Sequence, residues 1–546
     1  METYLESDNV TYDSIICRVT DDYLADADPD ALPLDVGVEL LTLTNQAIDD
    51  YNQTCAKGKR MRQLTKLDPY QMARVLVELH HAIRLYWLGF GDKDNSSLAL
   101  YHGEGNDWGT YDISDTYISQ VIRAYSPTYR KRDIEETILA ATHIAPGCER
   151  TEDPGLIAVN NGVFDYRTKM LMDFDPELVF MSKSHVDYVA GAQNPNITMP
   201  DGEAWDVETW MTSLSDDPGV VNLLWQMIGA VIRPNERWDK AILMYATSGN
   251  NGKGTLCQLM RNICGVGTYA SISVKDFGKE FMLAPLMRVS AVIVDENDTD
   301  SFLGSAEAFK AAVTHDVMRI NIKMKEPKDI RFNGVIVECL NELPRFQDKS
   351  DSLYRRILPV PMTKSFTGIE RKYIKSDYLN REDVLQYVLF RVLNMDYYEF
   401  DEPDACKGLL DEITENNDPL RQFLNEVMPR FAWNGVPWNL FYDFYVAWYF
   451  RCFNKKPSLG RNTFIKNVKG LLPNYPEWEV KEKFRSNTYI TTTEPLFVEY
   501  RVESAFDPGY HGEDPGRKIL IPQNQLFRGI VRNKFVTAAA DGEDEE

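Results

Sequence analysis

The run Ala241-Ile-Leu-Met-Tyr-Ala-Thr-Ser-Gly-Asn-Asn-Gly-Lys-Gly-Thr-Leu256 constrains the fold more than any other stretch of the chain. Its apolar start reads as a buried strand, and Ser248, Gly249, Asn250, Asn251 and Gly252 read as a loop. Lys253, Gly254 and Thr255 then open a helix. A strand buried on both faces and followed at once by a helix implies an open parallel sheet, hence an α/β fold. The backbone N–H groups of such a loop and the dipole of the following helix converge on one point. An anion such as a triphosphate sits there, with Lys253 on its outer phosphates.

Three further segments follow in an order that suits nucleotide chemistry. Val289-Ser-Ala-Val-Ile-Val-Asp-Glu296 is a second apolar strand, ending in two acids about forty residues past the lysine. Open parallel sheets bind ligands at the carboxyl ends of their strands. Asp295 is therefore the candidate for holding Mg²⁺ through water, and Glu296 for polarising an attacking water as general base. Asn333-Gly-Val-Ile-Val-Glu-Cys-Leu-Asn-Glu-Leu-Pro344 is a third strand. It ends in Asn341, whose amide can donate to a γ-phosphate and position water. Next comes Arg355-Arg356, placed to act as a finger on a neighbouring subunit's γ-phosphate.

The succession Asn250-Asn-Gly-Lys-Gly-Thr255, Asp295-Glu296, Asn341-Glu-Leu-Pro-Arg-Phe346 and Tyr354-Arg-Arg-Ile-Leu358 resembles superfamily 3 helicases. The similarity is to the phage/plasmid primase–helicase group, related to the poxvirus primase–helicase. It extends upstream to Val159-Asn-Asn-Gly-Val-Phe-Asp165 and spans roughly residues 95–490. The resemblance implies a P-loop AAA+-type core, an N-terminal mixed α/β domain and a C-terminal winged-helix domain. It implies ATP and Mg²⁺ as cofactors and a homohexameric ring translocating on single-stranded and forked DNA. In that family a basic hairpin lines the channel, which points to Lys323, Lys325 and Lys328 on the strand pair expected at 317–332. Primase or replication-initiator proteins are the further partners it suggests.

Two positions depart from the usual phosphate-loop pattern. Thr247 stands where a glycine is customary, and Gly254 stands where Ser or Thr supplies the Mg²⁺ hydroxyl. Thr255 is the candidate to take over that hydroxyl, with Asp295 and water as the alternative. On that view a serine at 254 should be tolerated.

The 546 residues are 44% apolar, enough for about three or four domains. No apolar stretch approaches 20 residues and no signal peptide is visible, so a membrane role is not expected and a cytoplasmic location is: the bacterial host cytoplasm if the chain is phage-encoded. Eight scattered cysteines without a Cys-x-x-Cys pair fit reduced thiols better than a zinc ribbon. The net charge of −24 opposes DNA binding only in total. From Arg451 to Ile490 nine basic residues face three acids, and from Val317 to Arg331 five face two. Acid collects in the first thirty residues and in Asp541-Gly-Glu-Asp-Glu-Glu546. Basic inner elements within an acidic exterior suit a ring that holds DNA in its channel.

The expected organisation is an acidic, poorly patterned segment at 1–66, an α/β domain at 67–205 and the ATPase core at 206–380. A helical connector at 381–416, a winged-helix-like domain at 417–500 and an extension with an acidic tail at 501–546 follow. Asp68-Pro69 caps a helix whose spacing runs to Ile83, and its adjacent His80 and His81 suit packing better than metal ligation. In the last domain three helices precede strands expected at Trp478–Lys483 and Thr488–Thr493, with Arg461, Lys466 and Lys469 on the recognition helix. Phe441, Tyr442, Tyr445 and Trp448 read as core. Three functions stay open: a replicative helicase of a phage or mobile element, a primase–helicase that also makes primers, and a replication initiator or origin-binding protein, whether a working ATPase or a scaffold with a relic ATP fold. No acidic triad suited to primer synthesis stands out before residue 95, and the intact loop and acid pair argue against a relic.

Overall fold

The computed structural model describes residues 10–92, 94–297, 307–343, 351–490, 492–512 and 524–533, with the backbone alone of 302–303 and 345–346. Pro344, the side chains of Arg345 and Phe346, and the acidic tail from Asp541 lie outside the described residues. The chain is mixed α/β and divides into two compact units, 1–410 and 411–546.

The centre of the first unit is a five-stranded, wholly parallel sheet. Its order is Tyr269–Ala270, Ala291–Val294, Val335–Leu340, Ala241–Tyr245 and Ile357–Pro361. The middle strands are buried along nearly their whole length, which is why they read as continuous apolar runs. Helix Lys253–Cys264 covers the sheet with Leu256, Leu259, Met260 and Ile263. Helix Pro218–Ala230 is buried on almost every side, as a helix apolar all round must be. Helix Glu382–Leu393, in the expected connector, buries Val384, Val388, Leu389, Val392 and Leu393 in the same core.

A four-stranded sheet lies nearer the N-terminus, ordered Tyr111–Asp112, Ser96–Tyr101, Ile83–Tyr86 and Gly147–Glu149. Asp68 caps helix Pro69–Leu79 as expected, but the helix stops there and Ile83 begins a strand. His80 ends up buried against the Tyr125 hydroxyl at 3.0 Å, and burial pushes its imidazole down to about 4, so it packs as a neutral ring. The segment expected to be poorly patterned instead forms helices Tyr12–Ala25 and Pro33–Thr54. Val36 and Leu40 pack into the same core as Met72, Val75 and Leu76, and a polar contact joins the helices as well. Buried Gln71 donates to Thr20 Oγ1 at 3.1 Å and to Thr44 Oγ1 at 3.0 Å, joining three helices through one side-chain amide.

In the second unit, helices Pro419–Val427, Trp438–Phe453 and Arg461–Leu471 enclose an aromatic core. Phe423 touches the rings of Phe441, Phe444, Tyr445, Trp448 and Phe464, so the aromatics read as core do pack there. Strand Trp478–Arg485 is present, but residues 486–489 turn into a short helix and supply no strand. The partner of Trp478–Arg485 is Leu526–Arg532, which also pairs with Gly435–Pro437. A segment set aside as a C-terminal extension thus provides the sheet's middle strand. The sequence concealed it because its pairing spans a long loop and not a hairpin.

Arg233 is the most heavily committed buried charge of the first unit. Its guanidinium lies 3.9 Å from the Tyr166 ring and 4.9 Å from that of Tyr397, and it donates to Tyr397 O and Glu236 Oε2. Removing it leaves Glu236 without its cation and opens a cavity between rings. Arg233→Ala should therefore cost about 3 kcal/mol or more, read as a lowered first thermal transition. Arg233→Lys should recover little, since a point charge replaces a planar fork.

Candidate functional site

Parallel register decides what meets at the carboxyl edge of the sheet. Tyr245 is level with Leu340, and Val294 with Glu338, so the loop after Tyr245, Asp295 and Asn341 emerge side by side. Asn250 (φ 56°) and Gly252 (φ 88°) both adopt the left-handed conformation, which turns the loop into the helix that starts at Lys253. The Asn251 amide donates to Ser248 O and closes the loop on itself. Phe366 N donates to Asn250 O at 2.7 Å, and Asn250 Nδ2 donates to Glu370 Oε1 at 2.8 Å. The segment after the edge strand therefore braces the loop from outside.

Lys253 Nζ donates to Asn341 Oδ1 at 3.1 Å across the strand ends. Burial pulls its ammonium below the ordinary lysine range, and Cys339 and Asp295 offset part of that shift. A cation so poorly solvated gains more than a surface lysine from an incoming anion. Asp295 lies against the loop helix itself: a Cβ on Gly254 would stand 2.8 Å from Asp295 Oδ1 and 3.0 Å from Oδ2. The serine expected to be tolerated at 254 would make the carboxylate shift, and the atoms that move are the free end of a side chain 30% exposed. The missing hydroxyl and the close carboxylate are one feature. Arg261 Nη1 (4.0 Å) and Lys375 Nζ (3.8 Å) flank Asp295 on its other sides.

These groups line a cavity of about 1000 Å³. Gly249, Asn250, Asn251, Gly252, Lys253, Gly254, Thr255, Asp295, Glu296 and Asn341 all border it, whereas Ser248 does not. Its apolar wall holds Trp205, Trp210, Leu214, Phe366 and Ile369. The volume and the mixture of cations, carboxylates and apolar wall fit a magnesium nucleoside triphosphate.

Residues 101–216 match the family model described as D5 N terminal like, and residues 244–356 match a family of unknown function, DUF5906. The second match begins in the loop strand and ends at Arg356. No curated protein is similar to the chain in sequence. Among solved structures it is similar to the A form apo structure of the NrS-1 C terminal region, at 14% identity and a TM-score of 0.46, over 85% of this chain and 100% of that one. The apo structure of NrS-1 residues 305–718 gives 14% identity and 0.44, over 86% and 100%. No helix among the described residues is long and apolar enough to cross a membrane.

The remaining candidates lie away from the cavity. Arg355 is exposed, and Arg356 Nη1 donates to Ser352 O and Oγ, both at 2.6 Å. They precede strand Ile357–Pro361, at the edge of the sheet opposite the loop. The expected strand pair exists as Val317–Ile320 and Lys328–Arg331. Lys323 at its tip is exposed, but Lys325 pairs with Asp115 at 2.7 Å and Lys328 Nζ donates to Asp94 O at 2.8 Å. Arg461, Lys466 and Lys469 are exposed on helix Arg461–Leu471, opposite buried Phe464 and Val468, and Lys469 contacts Glu482 at 3.1 Å.

Sequence reading missed the cations Lys372 and Lys375, which border the cavity from helix Lys372–Ser376. The available signal was Arg371-Lys-Tyr-Ile-Lys375, three basic residues in five just past the last strand. It also missed Glu338. This wholly buried carboxyl receives Asn297 Nδ2 at 2.8 Å on Oε2, while Oε1 has no partner among the described residues. Asn297 donates to Cys339 O as well, fastening the chain after Asp295-Glu296 to the neighbouring strand. Burial holds the Glu338 carboxyl well above its ordinary value, so the native state keeps a proton that the unfolded chain gives up. Its contribution is thus most favourable below about pH 4.5 and is lost as pH rises towards the native value. Glu338→Gln should flatten this term: between about pH 5 and pH 8 the wild type should lose more thermal stability than the variant.

Proposed function

We propose that the chain is an ATP-driven DNA helicase motor of the superfamily 3 type, built on a P-loop AAA+-type core with a winged-helix-like end. It would work as a homohexameric ring on single-stranded and forked DNA during replication of a phage or mobile element. The observation that carries this reading is the meeting of Lys253, Asn341 and Asp295 at one sheet edge, under a loop with two left-handed residues. Strand order supports it too, since the strand bearing Asn341 lies between those bearing the loop and Asp295.

In this scheme Lys253 and the backbone N–H groups hold the β- and γ-phosphates. Asp295 and Thr255 are the residues that would hold Mg²⁺, which neutralises phosphate charge when bound. Glu296, exposed at the cavity wall, takes the proton of the attacking water, and Asn341 orients that water. Arg355 and Arg356 stand five residues of strand from the loop edge, about 16 Å. That distance disqualifies them for their own subunit's cavity and suits service to a neighbour's. Lys323, with Lys325 and Lys328 once freed from Asp115 and Asp94, would track the DNA backbone, and Arg461, Lys466 and Lys469 would add phosphate contacts.

ATP hydrolysis with and without single-stranded DNA, beside a primer-synthesis assay, tests the reading. Lys253→Ala should abolish turnover, whereas Glu296→Gln should keep nucleotide affinity and slow chemistry by roughly 10²–10⁴. Full DNA-stimulated turnover in Lys253→Ala would remove the assignment, and primer synthesis would enlarge it.

The ring has its own test. An Arg355→Ala/Arg356→Ala variant mixed with wild type should lower activity below the sum of the separate proteins, because each altered subunit disables its neighbour. Nucleotide binding should persist. Strictly additive mixing would rule out a finger acting in trans.

A further inference from the structure

Beneath the nucleotide cavity lie two thiols that hydrolysis does not use, next to an acid that it does. Cys257, one turn into the loop helix, points its Sγ at Cys339 Sγ, 3.4 Å away on strand Val335–Leu340, the sensing strand of the proposed motor. Both are buried and neither is in a disulfide. The two sulfurs and a carboxylate oxygen of Asp295 all lie within 4.8 Å of one another. Only Asp295 of the three borders the cavity, with its side chain 30% exposed. Gly254 permits this grouping, since a Cβ there would push the Asp295 carboxylate away.

The donors select a class of ion. Two thiolates and one carboxylate are a poor set for Mg²⁺, which takes oxygen ligands in an octahedral shell. They suit a tetrahedral, thiophilic cation. Metal–sulfur bonds of about 2.3 Å at tetrahedral angles put the sulfurs about 3.8 Å apart, so the pair need open by only a few tenths of an ångström. The fourth position would face the cavity, open to water or a phosphate oxygen. Charge also balances: two thiolates and a carboxylate against a dication leave one negative charge, beside the Lys253 ammonium.

We propose that Cys257, Cys339 and Asp295 form a binding site for a thiophilic divalent cation of the zinc class, and that its occupancy stops the motor by taking Asp295 from its place beside the nucleotide. Each thiol passes its proton to solvent as its sulfur takes up the metal, so two protons leave per ion bound. The binding site stands on its own geometry. The inhibition rests on the nucleotide reading above.

Cadmium is the probe, because thiolate-to-cadmium charge transfer absorbs in the ultraviolet where the free ion does not. The full chain, metal-free and held reduced by a phosphine, is titrated with Cd²⁺ without nucleotide. The expected result is a band that saturates, is lost in Cys257→Ser/Cys339→Ser and appears at least about tenfold higher in Cd²⁺ for Asp295→Asn. A Cys257→Ala/Cys339→Ala variant with wild-type circular dichroism guards against a folding artefact. A band of equal size in both double variants would overturn the site.

The second arm measures ATP turnover with excess Mg²⁺ and added Zn²⁺. Zinc should inhibit the wild type and spare the cysteine variants, which keep their basal rate. Zinc binding without inhibition would overturn the regulatory half. A wild type with the cadmium band but no hydrolysis under any condition would count against the nucleotide reading and leave the metal site standing.

Discussion

The level register of three parallel strands is the constraint from which the rest of the first unit follows. Because Tyr245 pairs with Leu340, and Val294 with Glu338, the residues just past each strand have no choice but to be neighbours. A shift of one residue in the sensing strand would turn Asn341 and Glu338 to the opposite faces of the sheet. The apolar runs of these strands fix that register by burial. The contact of Lys253 with Asn341 is a consequence.

The basic strand pair is held by polar contacts to residues 94–115. Lys325 and Lys328 are engaged by Asp115 and by the Asp94 carbonyl, while Asn95 fixes the backbone of Asp329 through two hydrogen bonds at 2.7 and 3.1 Å. These are different kinds of contact. The Asn95 bonds position the strand and are half-buried, whereas the Lys325–Asp115 pair is half-exposed, of a kind worth about 1 kcal/mol or less. Breaking the Lys325–Asp115 pair would leave the Asn95 bonds to hold the strand. The acid of residues 92–115 thus keeps the hairpin in place while leaving its tip, Lys323 and Met324, in solvent.

Legibility followed the range of the interaction. The loop, both acids, Asn341 and the helix cap at Asp68 were readable because each depends on residues a few positions apart. The cavity's apolar wall was not: Trp205 and Phe366 reach it from segments about 160 residues apart, and neither carries a local signature. The N-terminal helices were missed for a related reason. Part of their hold on the unit is Gln71 bridging two threonines, a polar contact that hydrophobic spacing cannot announce. The strand Leu526–Arg532 was hidden by the same logic, since its partner is about forty residues earlier and the nearer residues 486–489 form a helix.

Gly254 shows most clearly what a departure from a pattern can mean. Read as a loss, it removes a hydroxyl and leaves the metal short of a ligand. In the structure it is a space, filled by a carboxylate that a side chain would exclude. Moving Asp295 against the first turn of the helix brings it within reach of two cations, Arg261 and Lys375, which hold it without neutralising it through a short contact. It also brings the carboxylate over two thiols that sit where the helix meets the sensing strand. A hydroxyl at 254 would ligate one ion and fix one geometry. A glycine leaves the carboxylate free to choose between the cavity above and the sulfurs below, and that freedom is what a switch at this position requires.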